Sequence, residues 1–361
     1  MNNLIFYGEL PGEINHGISI SNAINLELLS EEYNVIKIEE IVLFSKSPVN
    51  YLFHRIISII LIFFKIVNCK IKNKNASKFY AVLPTSNLGA VKTLLLVFLV
   101  RVFYWKIEVV LHVHRGDFIS FRNSSNLSFI LIKLIFLWTD KIICLSSDLR
   151  VYIENNFSKQ AFSLENCLSK EIPFCDTQKY DNRLRILYFS NITQEKGIFT
   201  LLEAIKNISD SKNNLDVEMS VFGSFANEKV KNKYEIVTRN LKHIKYKGVI
   251  NGDEKYNIYK EHDVFILPSF NEGQPISIIE AMSVGTPIIS TDVGYVKDMF
   301  WSEYPYIFDA GDVKKLENLV LNLSRLKASE RSSLSQRLHF HFLEKFSKEK
   351  HKQNLLKIFS C

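Results

Sequence analysis

The feature that most restricts how this chain can fold is a rhythm. Short apolar runs alternate with longer helix-like stretches, stop at a polar segment, and start again. In the first half the runs lie at 4–8, 35–38, 79–83, 109–113 and 141–145, and a helix-like stretch at 19–29 follows the first. Uninterrupted apolar runs of this length suit strands buried on both faces, and parallel strands connected by helices are buried in that way. The polar segment extends from Ser169-Lys170-Glu171-Ile172-Pro173 to Asp181-Asn182. Beyond it, runs at 184–189, 217–222, 243–247, 264–267 and 287–291 alternate with helical patterns at 197–206, 229–239, 256–260 and 278–284. A chain of 361 residues exceeds what one core usually holds. The reading is therefore an α/β protein of two Rossmann-like domains, 1–175 and 183–340, with the site expected in a cleft between them. The stretch from about 327 to 361 reads as amphipathic helix, its part from about 341 packing back onto the first domain.

The apolar share of 47% and charged share of 23% are those of a folded protein. Five scattered cysteines form no CxxC pair or metal spacing, which argues for reduced thiols in a cytosolic compartment. The start, Met1-Asn2-Asn3-Leu4-Ile5-Phe6-Tyr7, lacks a basic region or cleavage site and reads as a first strand, not a signal peptide. The net charge of +7 is unevenly spread. Between 41 and 107 there is no Asp or Glu, while ten lysines and arginines fall there, from Lys46 to Lys106. They are threaded through two apolar runs, 56–64 and 94–100, each shorter than the ~20 residues of a spanning helix. Two readings stay open: helices lying on an anionic membrane surface, or core helices with cationic ends. The aliphatic and aromatic character of the segment argues against a nucleic-acid partner.

The densest chemistry lies in Asn271-Glu272-Gly273-Gln274-Pro275-Ile276-Ser277-Ile278-Ile279-Glu280-Ala281-Met282. Two glutamates separated by seven residues bracket a turn and the start of an apolar helix. A helix N-terminus offers unpaired N–H groups and a positive dipole end to a diphosphate, and flanking carboxylates accept hydrogen bonds from sugar hydroxyls. The pattern reads as a nucleotide-sugar clamp. The competing reading makes Glu272 a helix cap and Glu280 a solvated surface group.

Further blocks follow in order: Tyr188-Phe189-Ser190-Asn191-Ile192-Thr193-Gln194-Glu195-Lys196-Gly197, Val221-Phe222-Gly223-Ser224, Tyr246-Lys247-Gly248 and His262-Asp263-Val264-Phe265-Ile266-Leu267-Pro268-Ser269. With the clamp, they resemble the C-terminal half of the retaining GT-B glycosyltransferases of family 4. The resemblance implies the GT-B fold and transfer of a sugar from a UDP- or GDP-sugar to a hydroxyl acceptor, with neither metal nor cofactor. It implies that Glu280 holds the ribose, that Glu272 contacts the transferred sugar, and that Gly273, Gln274, Pro275 and Ile276 face the distal phosphate. Lys196 would neutralise the departing diphosphate, and Gly223 would line the donor site. The family usually carries an Arg where this chain has Asn191.

In the first domain, Gly8-Glu9-Leu10-Pro11-Gly12-Glu13-Ile14-Asn15-His16-Gly17 stands where family members carry a glycine-rich loop, with Gly17 ahead of a helix. His112-Val113-His114-Arg115-Gly116-Asp117 ends an apolar strand, and alternation puts both histidines on one side. The resemblance makes His114 a contact of the donor sugar; a structural histidine is the competing reading, and no third ligand supports zinc. Arg115 would serve acceptor or phosphate, and Asn166 matches a crossover asparagine. The expected partners are a nucleotide sugar, an oligosaccharide or lipid-linked acceptor and an anionic membrane. The expected setting is surface-polysaccharide synthesis at the cytoplasmic face of a bacterial membrane. A nucleotide-sugar 2-epimerase and an inactive membrane-associated relative are the alternatives.

Overall fold

The computed structural model describes residues 2–12, 17–40, 48–71, 75–170, 172–174, 183–211, 215–250 and 252–360, with only the Ile57 side chain among 48–58. Of the sequence features above, 13–16, Lys46, Lys72, Lys74, Glu171, 175–182 and the Arg55 side chain lie outside the described residues. The chain divides into two compact units, Met1–Asn166 with His351–Cys361, and Cys167–Lys350. The division falls ahead of the polar segment because Leu168 already belongs to the second unit's core.

The first unit contains β1 (Asn3–Gly8), α1 (Gly17–Glu32), β2 (Asn34–Glu39), α2 (Pro48–Ile71), β3 (Ala76–Val82) and α3 (Asn87–Phe103). It continues with β4 (Glu108–Val113), α4 (Phe118–Asn123), α5 (Asn126–Leu137), β5 (Lys141–Cys144), α6 (Ser147–Phe157) and β6 (Gln160–Ser163). The strands form one parallel sheet in the order β2-β1-β3-β4-β5-β6. Serines start the helices where the apolar runs end: Ser86 accepts from Gly89 N–H, Ser125 from Ser128 N–H and Ser146 from Leu149 N–H.

The second unit contains β7 (Arg183–Phe189), α7 (Ile198–Asp210), β8 (Asp216–Phe222), α8 (Glu228–Thr238), β9 (Ile244–Gly248), α9 (Glu254–Glu261) and β10 (Val264–Leu267). After these come α10 (Ile276–Val284), β11 (Ile288–Thr291), β12 (Ile307–Phe308), α11 (Val313–Ser324) and α12 (Ala328–Lys345); the last helix, α13 (Lys348–Ser360), belongs from His351 on to the first unit. Its sheet is also parallel, ordered β12-β11-β10-β7-β8-β9. β10 and β11 are buried at every position, as continuous apolar runs require.

Each sheet reverses its strand order once. The chain steps from β1 to β2 on one side and returns with β3 on the other; β7 is likewise flanked by β8 and β10. Loops leaving the carboxyl ends of strands at such a reversal diverge and leave room for a ligand. β6 and β12 were not anticipated from the sequence. The C-terminal stretch, read as one helix, breaks at Phe346 and Ser347, where the Ser347 hydroxyl accepts from Lys350 N–H (3.3 Å). From His351 on, α13 packs into the first unit: Leu355, Ile358 and Phe359 are buried, and the Lys141 ammonium donates to the Ile358 carbonyl (3.0 Å). No helix among the described residues is long and apolar enough to cross a membrane.

Candidate functional site

The reversal point of the second sheet gathers most of the sequence-predicted residues. The loop after β7 carries Asn191 and Lys196, and the loop after β10 carries Ser269 to Pro275. The two loops are bound together by backbone: Phe270 N–H donates to the Glu195 carbonyl at 2.7 Å. Gly197 makes that approach possible. It sits at φ 71°, and a Cβ there would lie 1.8 Å from the Pro268 carbonyl oxygen.

On this frame the Lys196 ammonium donates to Glu272 Oε1 at 2.6 Å, and the Ser269 hydroxyl donates to the same oxygen at 2.7 Å. Glu272 is buried, and the Lys196 side chain is 30% exposed. Glu272 thus makes an ion pair, and the cap position of α10 is taken by Pro275, which provides no side-chain cap. The first turn of that helix therefore carries an uncapped positive end beside Lys196 and Glu272. Beneath them, the Tyr188 hydroxyl donates to the Lys196 carbonyl (3.4 Å) and the Asn191 carbonyl (3.3 Å). Burial, and then the Glu272 charge, push this phenol well up, so it remains a donor.

Glu280, about two turns into α10, is buried and not on a solvated face. Its carboxylate pairs with Lys255 of α9 and accepts from the Tyr259 hydroxyl at 3.1 Å. Burial first, and the Glu280 charge second, raise the Tyr259 phenol well above its ordinary value. Asn191 is exposed and accepts from the Ser224 hydroxyl at 3.1 Å. Gly223 donates to the Gly248 carbonyl at 2.8 Å and accepts from the Tyr246 hydroxyl at 2.9 Å, which fixes the turn after β8. The Gly273 carbonyl accepts from Tyr295 N–H at 3.2 Å. Gln274 is buried, and Ile276 opens the helix.

Sequence reading missed four contributors: Ser269, Lys255, Tyr259 and Gly294. Ser269 stood inside a recognised block, so a hydroxyl three residues before Glu272 was a usable signal. Gly294, after β11, was an isolated glycine; a Cβ on it would lie 1.8 Å from the Glu272 carbonyl oxygen. Lys255 and Tyr259 gave no local signal, because only the packing of α9 against α10 brings them to Glu280.

In the first unit, Gly17 is the first residue of α1. His112 and His114 lie on one side of β4, their rings 3.7 Å apart between centroids. Both are buried, and His112 Nδ1 pairs with the Tyr80 hydroxyl at 2.8 Å. The Asn25 side-chain amide bridges that hydroxyl (3.1 Å) and His351 Nε2 (2.6 Å). His351 Nδ1 donates to the Glu165 carbonyl at 2.6 Å. Burial is the main cause that lowers all three imidazoles, His114 to about 3 and His351 to about 4, so they are neutral. Among the described residues, Nε2 of His112 and of His114 have no hydrogen-bond partner. Arg115 is committed to Asp117 by a two-point pair of 3.0 and 2.6 Å. No group of three or more His, Cys, Asp or Glu among the described residues is arranged to hold a metal.

The family model for glycosyl transferases group 1 matches residues 170–338. The putative teichuronic acid biosynthesis glycosyltransferase TuaC of Bacillus subtilis is 34% identical over 120 residues, 33% of this chain and 27% of that protein. The capsular polysaccharide biosynthesis glycosyltransferase CapM of Staphylococcus aureus is 27% identical over 182 residues, 46% of this chain and 47% of that protein. The chain thus spans half or less of the length of the curated relatives it matches. Sucrose-phosphate synthase from Thermosynechococcus elongatus superposes over 100% of this chain and 98% of its own, with a TM-score of 0.76 at 14% identity. That likeness is one of fold, and the fold is the expected GT-B, with two six-stranded parallel sheets.

Proposed function

We propose that the chain, whose residues 170–338 match the family model for glycosyl transferases group 1, is a retaining, metal-independent glycosyltransferase. It moves a sugar from a UDP- or GDP-sugar to a hydroxyl of a lipid-linked oligosaccharide, as a peripheral protein at the inner face of the cell membrane. The product enters a surface polysaccharide, a setting suggested by the names of the teichuronic acid and capsular relatives. The observation that carries the reading is the Lys196–Glu272–Ser269 cluster beside the uncapped N-terminus of α10.

The roles proposed are those the resemblance implies, read onto the charges of this site. The diphosphate takes the positive helix end and the partly exposed Lys196 ammonium, which offsets the charge that develops as the glycosidic bond breaks. Gly273, Gln274, Pro275 and Ile276 line that end, and Gly17, Asn191 and Gly223 complete the donor contacts. Glu280 accepts from the ribose hydroxyls, and Glu272 accepts from a hydroxyl of the transferred sugar. The acceptor attacks the face from which the phosphate leaves, and the leaving phosphate oxygen takes its proton. His114, held neutral by burial, contributes a hydrogen bond to the donor sugar and no charge.

A screen of nucleotide sugars for protection against heat unfolding tests this reading. One UDP- or GDP-sugar is expected to raise Tm by several degrees, and Glu280→Ala to remove the shift. Glu272→Ala and Lys196→Ala are each expected to lower transfer at least about a hundredfold, with chelator leaving it unchanged. Protection by no nucleotide sugar, or wild-type rates in both variants, would sink the assignment.

A further inference from the structure

Helices of the first unit leave an apolar surface that the sugar-transfer chemistry does not use. On α3, Leu88, Val91, Leu95, Phe98 and Val102 are exposed, spaced three and four residues apart along one face, while Leu96, Val97 and Val100 are buried on the other. On α5, Leu127, Ile130, Leu134 and Leu137 are exposed with the same spacing, while Leu131, Ile132 and Ile135 are buried. Both helices are thus apolar on two sides, whereas a helix at a water surface has one polar face. α3 packs against α5 and α2. The surfaces join through Phe98 and Trp138, rings 5.9 Å apart, and continue onto exposed Ile60, Leu61 and Phe64 of α2. Trp105, 78% exposed, follows the end of α3, and Trp138 follows the end of α5.

The surrounding charge selects the occupant. From residue 41 to 147 the chain has three acids, Glu108, Asp117 and Asp140. Each is paired: Glu108 with Lys78 and Lys141, Asp117 with Arg115, and Asp140 with Arg101. Lys65, Lys106 and Lys133 stand exposed among the apolar side chains. A groove of about 370 Å³ along Ile130, Leu134, Leu137 and Phe157 is also lined by Lys133 and Lys159, a combination that suits an acyl chain with an anionic head. A second copy of the chain would oppose cation to cation across the same face. An anionic bilayer satisfies both the apolar stripes and the uncompensated lysines.

We propose that α3 and α5 insert their exposed faces into an anionic lipid bilayer, with Trp105 and Trp138 at the headgroup level and the lysines on the phosphates. This rests on, and deepens, the reading that the acceptor is carried on lipid: contact is by insertion, and α5 contributes as much as α3.

Trp301→Phe leaves Trp105 and Trp138 as the only tryptophans of the chain. With vesicles of phosphatidylcholine and phosphatidylglycerol, their emission is expected to shift to the blue and to be quenched by lipids brominated near the glycerol. High salt is expected to weaken binding without abolishing it. Leu95→Gln with Leu134→Gln is expected to lower the partition coefficient at least about tenfold, with Tm and transfer to a short soluble acceptor unchanged. Unquenched tryptophans, or unchanged partition of the double variant, overturn the proposal. So does a dimer that the double variant dissociates, which would make a second copy the occupant. Transfer to the soluble acceptor is read separately, so loss of vesicle binding is distinguishable from failure of the sugar-transfer reading.

Discussion

Glu280 is a carboxylate 7% exposed inside an apolar helix, and an ionised group there is costly unless its oxygens are matched. Lys255 matches one oxygen and Tyr259 the other. Removing one member of such a pair leaves an unmatched buried charge, so Lys255→Met is expected to destabilise the second unit by about 3 kcal/mol. Tyr259→Phe removes a single hydrogen bond and is expected to cost about 1 kcal/mol. If Glu280 holds the ribose, both substitutions raise the KM for the donor more than they lower kcat, because ribose contacts are equal in ground and transition states. Denaturant melts with steady-state kinetics check both parts; a fall in kcat at constant KM would place Glu280 in the chemical step. The other pair behaves differently. Lys196 and Glu272 neutralise each other at 2.6 Å, so their deletions are expected not to add. In a cycle of Lys196→Met and Glu272→Gln, the double variant should transfer no more slowly than about the worse single. Additive losses would mean that the two act on separate events.

At the scale of elements, the loops of the second unit are held by backbone contacts that exclude side chains. Gly294 has φ 57°, and a Cβ on it would sit 1.8 Å from the Glu272 carbonyl oxygen. Gly294→Ala must move the Glu272 loop or distort its own turn, and is expected to cost about 3 kcal/mol. Circular dichroism melts measure that cost, and retained donor protection in the variant would show that the loop tolerates the shift. The same elements explain what the sequence could and could not tell. Strands such as Val264–Leu267 were legible because burial on both faces leaves an unbroken apolar run. β6 was not, since only Ala161 of its four residues is buried, and β12 has two residues. The break between α12 and α13 has no Gly or Pro to mark it; its signal was Ser347, a serine at an N-cap position, which is a weak cue inside a helical pattern. Glu272, Lys196 and Gly197 could be read because their motifs are local. Lys255 and Tyr259 could not, since α9 reaches Glu280 only once β10 has taken its place beside β7. The acid-free segment was visible as composition, but the apolar stripe of α5 lay outside it and emerged only with side-chain exposure.

At the scale of the whole molecule, the first unit depends on the far end of the chain. Phe359 lies against Tyr33 and Tyr80, the Tyr33 hydroxyl donates to the Phe359 carbonyl at 3.2 Å, and His351 joins the buried network under β4. Three buried imidazoles in that unit, His112, His114 and His351, are lowered chiefly by burial, the last two to about 3 and about 4. His243, His262 and His341 of the second unit shift the same way for the same first cause. In the unfolded chain such imidazoles titrate near 6.5. Between that value and the folded one, the unfolded chain binds protons that the folded chain refuses. Stability is therefore complete above about pH 7 and falls as pH drops below 6.5, by about 1.4 kcal/mol per pH unit for each such histidine. Carboxylates contribute little above pH 5.5, since their ordinary values lie near 4. The unfolding free energy is accordingly expected to be lower at pH 5.5 than at pH 7.5 by between about 1 and 5 kcal/mol. Urea titrations at the two values measure it. His351→Gln, which keeps a hydrogen-bonding group without a titratable one, is expected to reduce that pH difference even where it lowers stability at both values. An equal free energy at both would mean that the histidines become charged within the fold, and that His114 is not the neutral group the sugar-transfer reading requires.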